Sequence, residues 1–339
     1  MLHPSGALSP VDSAQHAVAA SFSGQTHVST PGSRPLRHAV GRVLTTPLAS
    51  RLIAGSLRNA PGLIPATLRN RLPTHRVSVE LPGRRGRLRF ESGCDLVTRE
   101  LFWHGFDGYE HASLAIFLAL LETGPQCILD VGAFTGLYGF AAAACCPGSA
   151  VHAFEPVPTT YARLEENLSI NRLPNLTIHQ LAISDRSGTT TMYTVPNLEL
   201  SVRNSLVEGL NEATEPVEVP TASLDSFVAE ASIGKVDLMK IDVESAEHRV
   251  LSGGTRVLDR DRPIMICEVL YGQFSPDLER VLDKRSYRYL LITESGLEVH
   301  EHIRADPQGR DLNYLFVPEE KLAQLPTIFR ERTSVSRVE

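Results

Sequence analysis

The stretch ILDVGAFTGLYGFAAAACC, residues 128 to 146, constrains the chain more than any other. An apolar run stops at Asp130, turns through Gly132 and Gly136, and resumes as an Ala-rich helical pattern. Strand, glycine turn and helix in succession make the corner at which a parallel α/β sheet holds a nucleotide or an adenosine. The glycine spacing then selects among ligands. A dinucleotide turn uses G-x-G-x-x-G, so that a pyrophosphate can approach the helix N-terminus. Here the spacing is Gly132-x-x-x-Gly136-x-x-Gly139, with Phe134 where the second glycine belongs. No G-x-x-x-x-G-K-[ST] run is present, which excludes a P-loop. Asp130 points the other way: a carboxylate repels phosphate but favours a ligand carrying an ammonium and a sulfonium, as S-adenosylmethionine does. Glu155, ending the strand in VHAFEP about 20 positions past the turn, is placed to accept ribose hydroxyls. A corner with no ligand also wants glycine, so the corner alone does not decide.

From Gln126 onward the chain repeats a strand, turn, helix rhythm. Strands are expected near 126–131, 150–155, 176–181, 236–242, 263–269, 287–293 and 312–317, and helices near 136–145, 158–170, 223–231, 245–253 and 277–285. This alternation implies a mostly parallel sheet with helices on both faces. Residues 189–222 break the rhythm and read as an inserted hairpin or lid. Upstream, residues 1–35 are Ser-, Pro- and Gly-rich and read as disordered, and 36–72 as short helices broken by Pro47, Pro61 and Pro65. Residues 75–92 alternate around Pro-Gly as a β-hairpin, and 108–124 give an amphipathic helix. The domain division expected is a disordered segment 1–35, a basic cap with hairpin 36–104, a catalytic domain 105–318 and a tail 319–339.

Charge is uneven. Residues 1–90 carry twelve Arg, no Lys and only two acids, Asp12 and Glu80, a net +10 on a chain whose total is -6. A basic arm suits nucleic acid or anionic lipid, but these arginines are scattered among Pro, Gly and Leu, which favours packing on the acidic body. Five cysteines with no C-x-x-C pair suggest a reduced, cytoplasmic chain. No apolar run reaches the length of a membrane span.

ILDVGAFTGLYGFAAA, VHAFEPVPTTYARLEENLSIN, QLAISDRSG, TASLDSF, VDLMKIDVESAEHRVLSGG, PIMICEV and LNYLFVP occur in this order over residues 105 to 318. Their order and spacing resemble the FkbM-type family of S-adenosylmethionine-dependent methyltransferases. The resemblance implies a Rossmann-like seven-stranded methyltransferase sheet and O-methylation of a hydroxyl on a sugar or natural-product scaffold. By matching position it also implies that Asp130, Gly132, Ala133 and Gly136 shape the methionine side of the cofactor pocket, that Glu155 holds the ribose, and that Ala182, Ser184 and Asp185 border the adenine. Two departures stand out. The family's usual Asn after Gly-Ala is Phe134, and its usual Gly after Asp-Val-Glu is Ser245, which suggests a less tightly constrained turn.

Ligands of an open parallel sheet bind at the carboxyl ends of its strands, which selects Asp242 and Glu244 in MKIDVESAE and Glu268 at the end of the next strand. Asp242 and Glu244 are the catalytic candidates. One carboxylate can serve as the base, or Asp242 and Glu268 can hold a divalent metal such as Mg²⁺. Glu244 and Glu247 can equally act on the helix N-terminus, and Lys240 reads as an ion-pair partner of Asp242. His248 is a weaker candidate for the base. His104 and Glu110 are placed to reach over the cofactor as part of an entrance wall, whereas Phe102, Trp103, Phe106 and Tyr109 read as packing. The expected partner is a small hydroxylated acceptor. A nucleic-acid ribose methyltransferase is the weaker alternative, since clustered carboxylates repel phosphates. A non-catalytic binding module is the third, kept open by Phe134 and Ser245.

Overall fold

The computed structural model describes residues 76–82, 86–91, 95–194, 215–271, 275–326 and 329. The expected disordered segment 1–35 and broken helices 36–72 lie outside the described residues. The hairpin forms: β1 (Val77–Glu80) pairs antiparallel with β2 (Arg87–Phe90). Two helices come after it, α1 (Leu96–His104) and α2 (His111–Leu121). Asp95 starts the first of them, accepting a hydrogen bond from the Thr98 amide at 2.8 Å.

The alternating part begins with β3 (Cys127–Val131), α3 (Leu137–Cys145), β4 (Ala150–Phe154), α4 (Pro158–Asn171) and β5 (Leu176–His179). Pro158 opens α4, where a missing amide costs nothing. A small three-stranded sheet of β6 (Ala182–Ser184), β7 (Gly188–Thr194) and β8 (Glu215–Ser223) comes next, in the order β6-β8-β7. β7 and β8 are the two arms of the hairpin expected within 189–222, and residues 195–214 between them lie outside the described residues. Then come α5 (Leu224–Glu230), β9 (Leu238–Ile241), α6 (Glu247–Ser252), α7 (Thr255–Arg260), β10 (Ile264–Glu268), α8 (Ser275–Leu282), β11 (Tyr287–Thr293), β12 (Gly296–His300) and β13 (Asn313–Pro318).

The large sheet runs β12-β11-β13-β10-β9-β3-β4-β5, with β10 through β5 parallel and β13, β11 and β12 antiparallel to their neighbours. All seven expected strands are present in this Rossmann-like α/β sheet, and β12 adds an eighth at the edge. The chain leaves β3 toward β4 and β5, then crosses back to β9 on the other side. That reversal beside β3 is the topological switch point, where a crevice opens at the strand ends.

Alternation along the strands sorts residues between two buried layers. Cys127, Leu129 and Val131 of β3 join Met239 and Ile241 of β9 and the α5 to α8 side. Ile128 and Leu238 join the opposite layer, with α2, α3 and the hairpin. Asp130 and Lys240 fall on that second face and are register partners. The hairpin shares this core: Phe90 stacks on Phe140 with ring centroids 5.7 Å apart. It is tied to α4 by the Asn167 and Asn171 side-chain oxygens, which accept from the Glu91 and Arg89 amides at 2.7 and 2.8 Å.

Candidate functional site

The β3 to α3 turn is built by close approach. Gly132, at φ +86°, lies so near the end of β9 that a Cβ there would come within 1.7 Å of the Asp242 carbonyl oxygen. The Gly132 and Ala133 amides both donate to the Phe154 carbonyl, at 3.0 and 2.8 Å, which binds the turn to β4. Gly136, at φ +100°, starts α3, and a Cβ there would strike Phe140 and Leu164. It packs closely against those side chains and is not among the residues lining the cleft.

The cleft holds about 920 Å³ of free space, counting the part open to solvent. Gly132, Ala133, Phe134 and Thr135 form its floor, and Asp130 and Glu155 its acidic flank. Leu181, Ala182, Ile183 and Met192 give an apolar wall, and Asp242, Val243 and Glu244, past the end of β9, form the other, far flank, on the strand neighbouring β3. Ser184 and Asp185, expected beside an adenine, do not line it. The cause is β6, which leaves the main sheet to pair with β8; the Ser184 carbonyl then packs against Gly253, and its hydroxyl donates to Asp185 at 3.1 Å.

The two acids of the near flank are held by the backbone. Asp130 is 2 % exposed and its Oδ2 accepts from the Gly139 amide at 2.7 Å. Burial pushes its carboxyl up to about 7. Glu155 accepts from the Val157 amide at 2.9 Å and from the Phe134 amide at 3.2 Å. Burial pushes it up to about 8. Phe134 takes a left-handed φ of +51° that sends its amide to Glu155 and its ring against the core, so the cleft stays open beside it. Thr135 is 1 % exposed, and its hydroxyl has no partner although the residue lines the cleft.

The far flank is assembled from distant side chains. Lys240 is buried, its ammonium 3.1 Å from Asp242 Oδ2, 3.2 Å from Asn313 Oδ1 and 3.8 Å from Glu110 Oε2. Burial opposes its charge, but Asp242, Glu110 and Glu268 outweigh that and push the ammonium above its ordinary value. Glu110 reaches the site from the start of α2 and accepts from the Tyr138 hydroxyl at 2.6 Å. Tyr109 packs against the core as expected and lines the cleft as well. Oxygens of Asp242, Glu244 and Glu268 all lie within 4.8 Å of one another. Burial, reinforced by Asp242, Glu244 and Glu247, raises Glu268 well above the usual carboxylate range.

The turn after Asp242 is more constrained than the loss of glycine suggests. Glu244 and Ser245 both take left-handed backbone, at φ +53° and +80°, so Ser245 occupies the conformation a glycine prefers. Glu247 stabilises the turn rather than the cleft: its Oε1 accepts from the Val243 and Ser245 amides at 3.1 and 3.2 Å. His248 and His104 are not among the lining residues. No helix among the described residues is long and apolar enough to cross a membrane.

Tyr109, Thr135 and Tyr138 are the lining residues that pattern alone does not assign to this site, whereas Glu110, expected at an entrance wall, meets Lys240 and Tyr138. Only Thr135 carries a local signal, since it sits inside the glycine turn.

The family profile described as "Methyltransferase FkbM domain" matches residues 130–289, the stretch that builds the cleft. Among curated proteins, the chain is 33% identical over 162 residues to 31-O-demethyl-FK506 methyltransferase FkbM of Streptomyces tacrolimicus, covering 40% of this chain and 61% of that one. It is 29% identical over 157 residues to 2-O-methyltransferase NoeI of Sinorhizobium fredii, covering 43% and 64%. The chain thus spans less than two thirds of the length of either relative. A crystal structure of methyltransferase FkbM from Methylobacillus flagellatus aligns with a TM-score of 0.39 and 17% identity, over 56% of this chain and 43% of that one. Residues 130–289 are thus similar to the FkbM methyltransferase domain.

Proposed function

We propose that the chain transfers a methyl group from S-adenosylmethionine to a hydroxyl oxygen of a sugar or natural-product scaffold. The observation that carries this reading is the pair of backbone-held acids, Asp130 and Glu155, flanking a glycine turn at the switch point, with a second carboxylate group on the far flank of the same cleft. Asp130 attracts the positive charge of the cofactor, while Glu155 has acceptor capacity left for ribose hydroxyls after its two amide bonds. The wall of Leu181, Ala182, Ile183 and Met192 suits a flat apolar ring. Thr135 offers a buried hydroxyl that gains a partner when the cleft fills.

Bound there, S-adenosylmethionine supplies a methyl carbon already activated by its sulfonium. The protein's part is to bring an acceptor oxygen into line and to take its proton. Asp242 is the residue for the proton: it lines the cleft, and Lys240 fixes its carboxylate. With the cofactor bound, an acceptor oxygen held in line would take its methyl group in exchange for the sulfur, and Asp242 would take the hydroxyl proton. The names of the two relatives, both of O-methyltransferase type, support oxygen as the target.

The test is transfer of an isotope-labelled methyl group from S-adenosylmethionine to a panel of hydroxylated sugars and macrocycles, read by mass spectrometry. Label on a hydroxyl oxygen, lost in Asp242→Asn, is the expected result. Binding of the cofactor with label found only on nitrogen acceptors, or on none, would contradict the oxygen assignment.

A further inference from the structure

The far flank holds more negative charge than its one buried cation answers. Lys240 is committed to Asp242, Asn313 and Glu110. Glu268, at the end of β10, is 7 % exposed, and its Oε2 is buried with no hydrogen-bond partner. An unpartnered carboxyl oxygen in such a place is costly unless something absent from the bare chain completes it. That oxygen belongs to a residue of the three-carboxylate group, whose other members, Asp242 and Glu244, open onto the cleft.

We propose that Asp242, Glu244 and Glu268 form a binding site for a hard divalent cation at the acceptor end of the cleft. The three carboxylates come from the end of β9, the left-handed turn after it and the end of β10, so the fold rather than one flexible loop brings them together. Their 4.8 Å limit matches the span between opposite ligands of an oxygen-coordinated ion, about 4 to 5 Å from Mg²⁺ to Ca²⁺. The donor set is all oxygen, which suits Mg²⁺, Mn²⁺ or Ca²⁺ and disfavours soft metals. Two of the ligands face open space, which leaves coordination positions for an acceptor's oxygens. This role for the ion rests on the O-methyl-transfer reading; its binding does not. A cation there would make an acceptor hydroxyl more acidic and would favour acceptors with adjacent oxygens.

The experiment is titration of the chain, without cofactor or acceptor, with Mn²⁺, followed by loss of the free-ion electron paramagnetic resonance signal. One site of micromolar to submillimolar affinity is expected, weakened at least tenfold in Glu268→Gln and in Glu244→Gln. Glu244 is only half-buried, so its variant reports on the site even where Glu268→Gln disturbs folding. No binding up to about 10 mM, well above the range of weak oxygen-ligand sites, or binding unchanged in both variants, would overturn the site. Calorimetric titration of the same samples with S-adenosylmethionine separates the two proposals: intact cofactor binding without Mn²⁺ binding removes the ion and leaves the proposed function standing.

Discussion

The two flanks of the cleft hold their acids by different means. On the near flank, Asp130 and Glu155 are gripped by backbone amides of Gly139, Phe134 and Val157, all within 21 residues of the acid they serve. On the far flank, Asp242 is held by a lysine two residues back, which is itself held by Asn313 from β13 and Glu110 from the start of α2. A backbone grip is fixed once strand, turn and helix form, whereas the side-chain grip exists only after the whole sheet has closed. The near flank therefore resembles a preformed socket for a constant ligand, and the far flank a set of side chains that can be exchanged as the acceptor changes.

The sharpest way to break the near flank is Gly132→Ala. The added Cβ meets the Asp242 carbonyl at a distance no relaxation of a side chain can relieve, and the residue is left-handed besides. A loss of more than about 3 kcal/mol in denaturant unfolding is expected. The far flank has its own weak point in Lys240→Met, which leaves Asp242 and Glu110 without their buried cation. Chemical denaturation should register a loss of about 3–5 kcal/mol; a change under about 1 kcal/mol, the scale of an exposed pair, would mean that the far flank is wetter than its burial implies.

pH distinguishes the flanks more gently. Burial raises Asp130 to about 7 and Glu155 to about 8, above their unfolded values. Their contribution to stability is therefore full below the unfolded carboxylate pKa and is lost as pH rises through about 7 to 8. A cationic ligand reverses that trend, because it favours the ionised acids. Affinity for S-adenosylmethionine should rise about tenfold between roughly pH 6 and 8.5, measured by calorimetry; a flat profile would mean that neither acid faces the charge of the ligand. The smallest effect belongs to Ser245→Gly. It relieves a left-handed serine whose buried hydroxyl lacks a partner, and should raise stability by about 1 kcal/mol in a thermal melt.

The same contrast between local and distant partners governs what is legible in the sequence. Asp130, Gly132 and Glu155 stand at the ends of apolar runs, where pattern and position coincide, and the seven main strands come from that rhythm. β12 escapes it because an edge strand buries little: of its residues only Leu297 is buried, so no apolar run marks it. Ser184 and Asp185 lie outside the cleft lining, and nothing local in the sequence says that β6 will pair with β8 instead of continuing the sheet. Tyr138 and Glu110 lie 28 residues apart and meet only when α2 packs beside α3. The strain at Ser245 is equally silent, because serine in a turn usually signals comfort and only the dihedral angle reveals otherwise.

If the near flank is a socket for S-adenosylmethionine, Glu155 is the residue whose loss must be felt. Calorimetric titration of the wild-type chain and of Glu155→Gln decides the matter, with circular dichroism to establish that the variant is folded. Micromolar binding to the wild-type chain is expected, weakened at least tenfold by a substitution that removes one carboxylate oxygen and its charge. Absence of binding to the folded wild-type chain, or equal binding to both, would contradict the assignment.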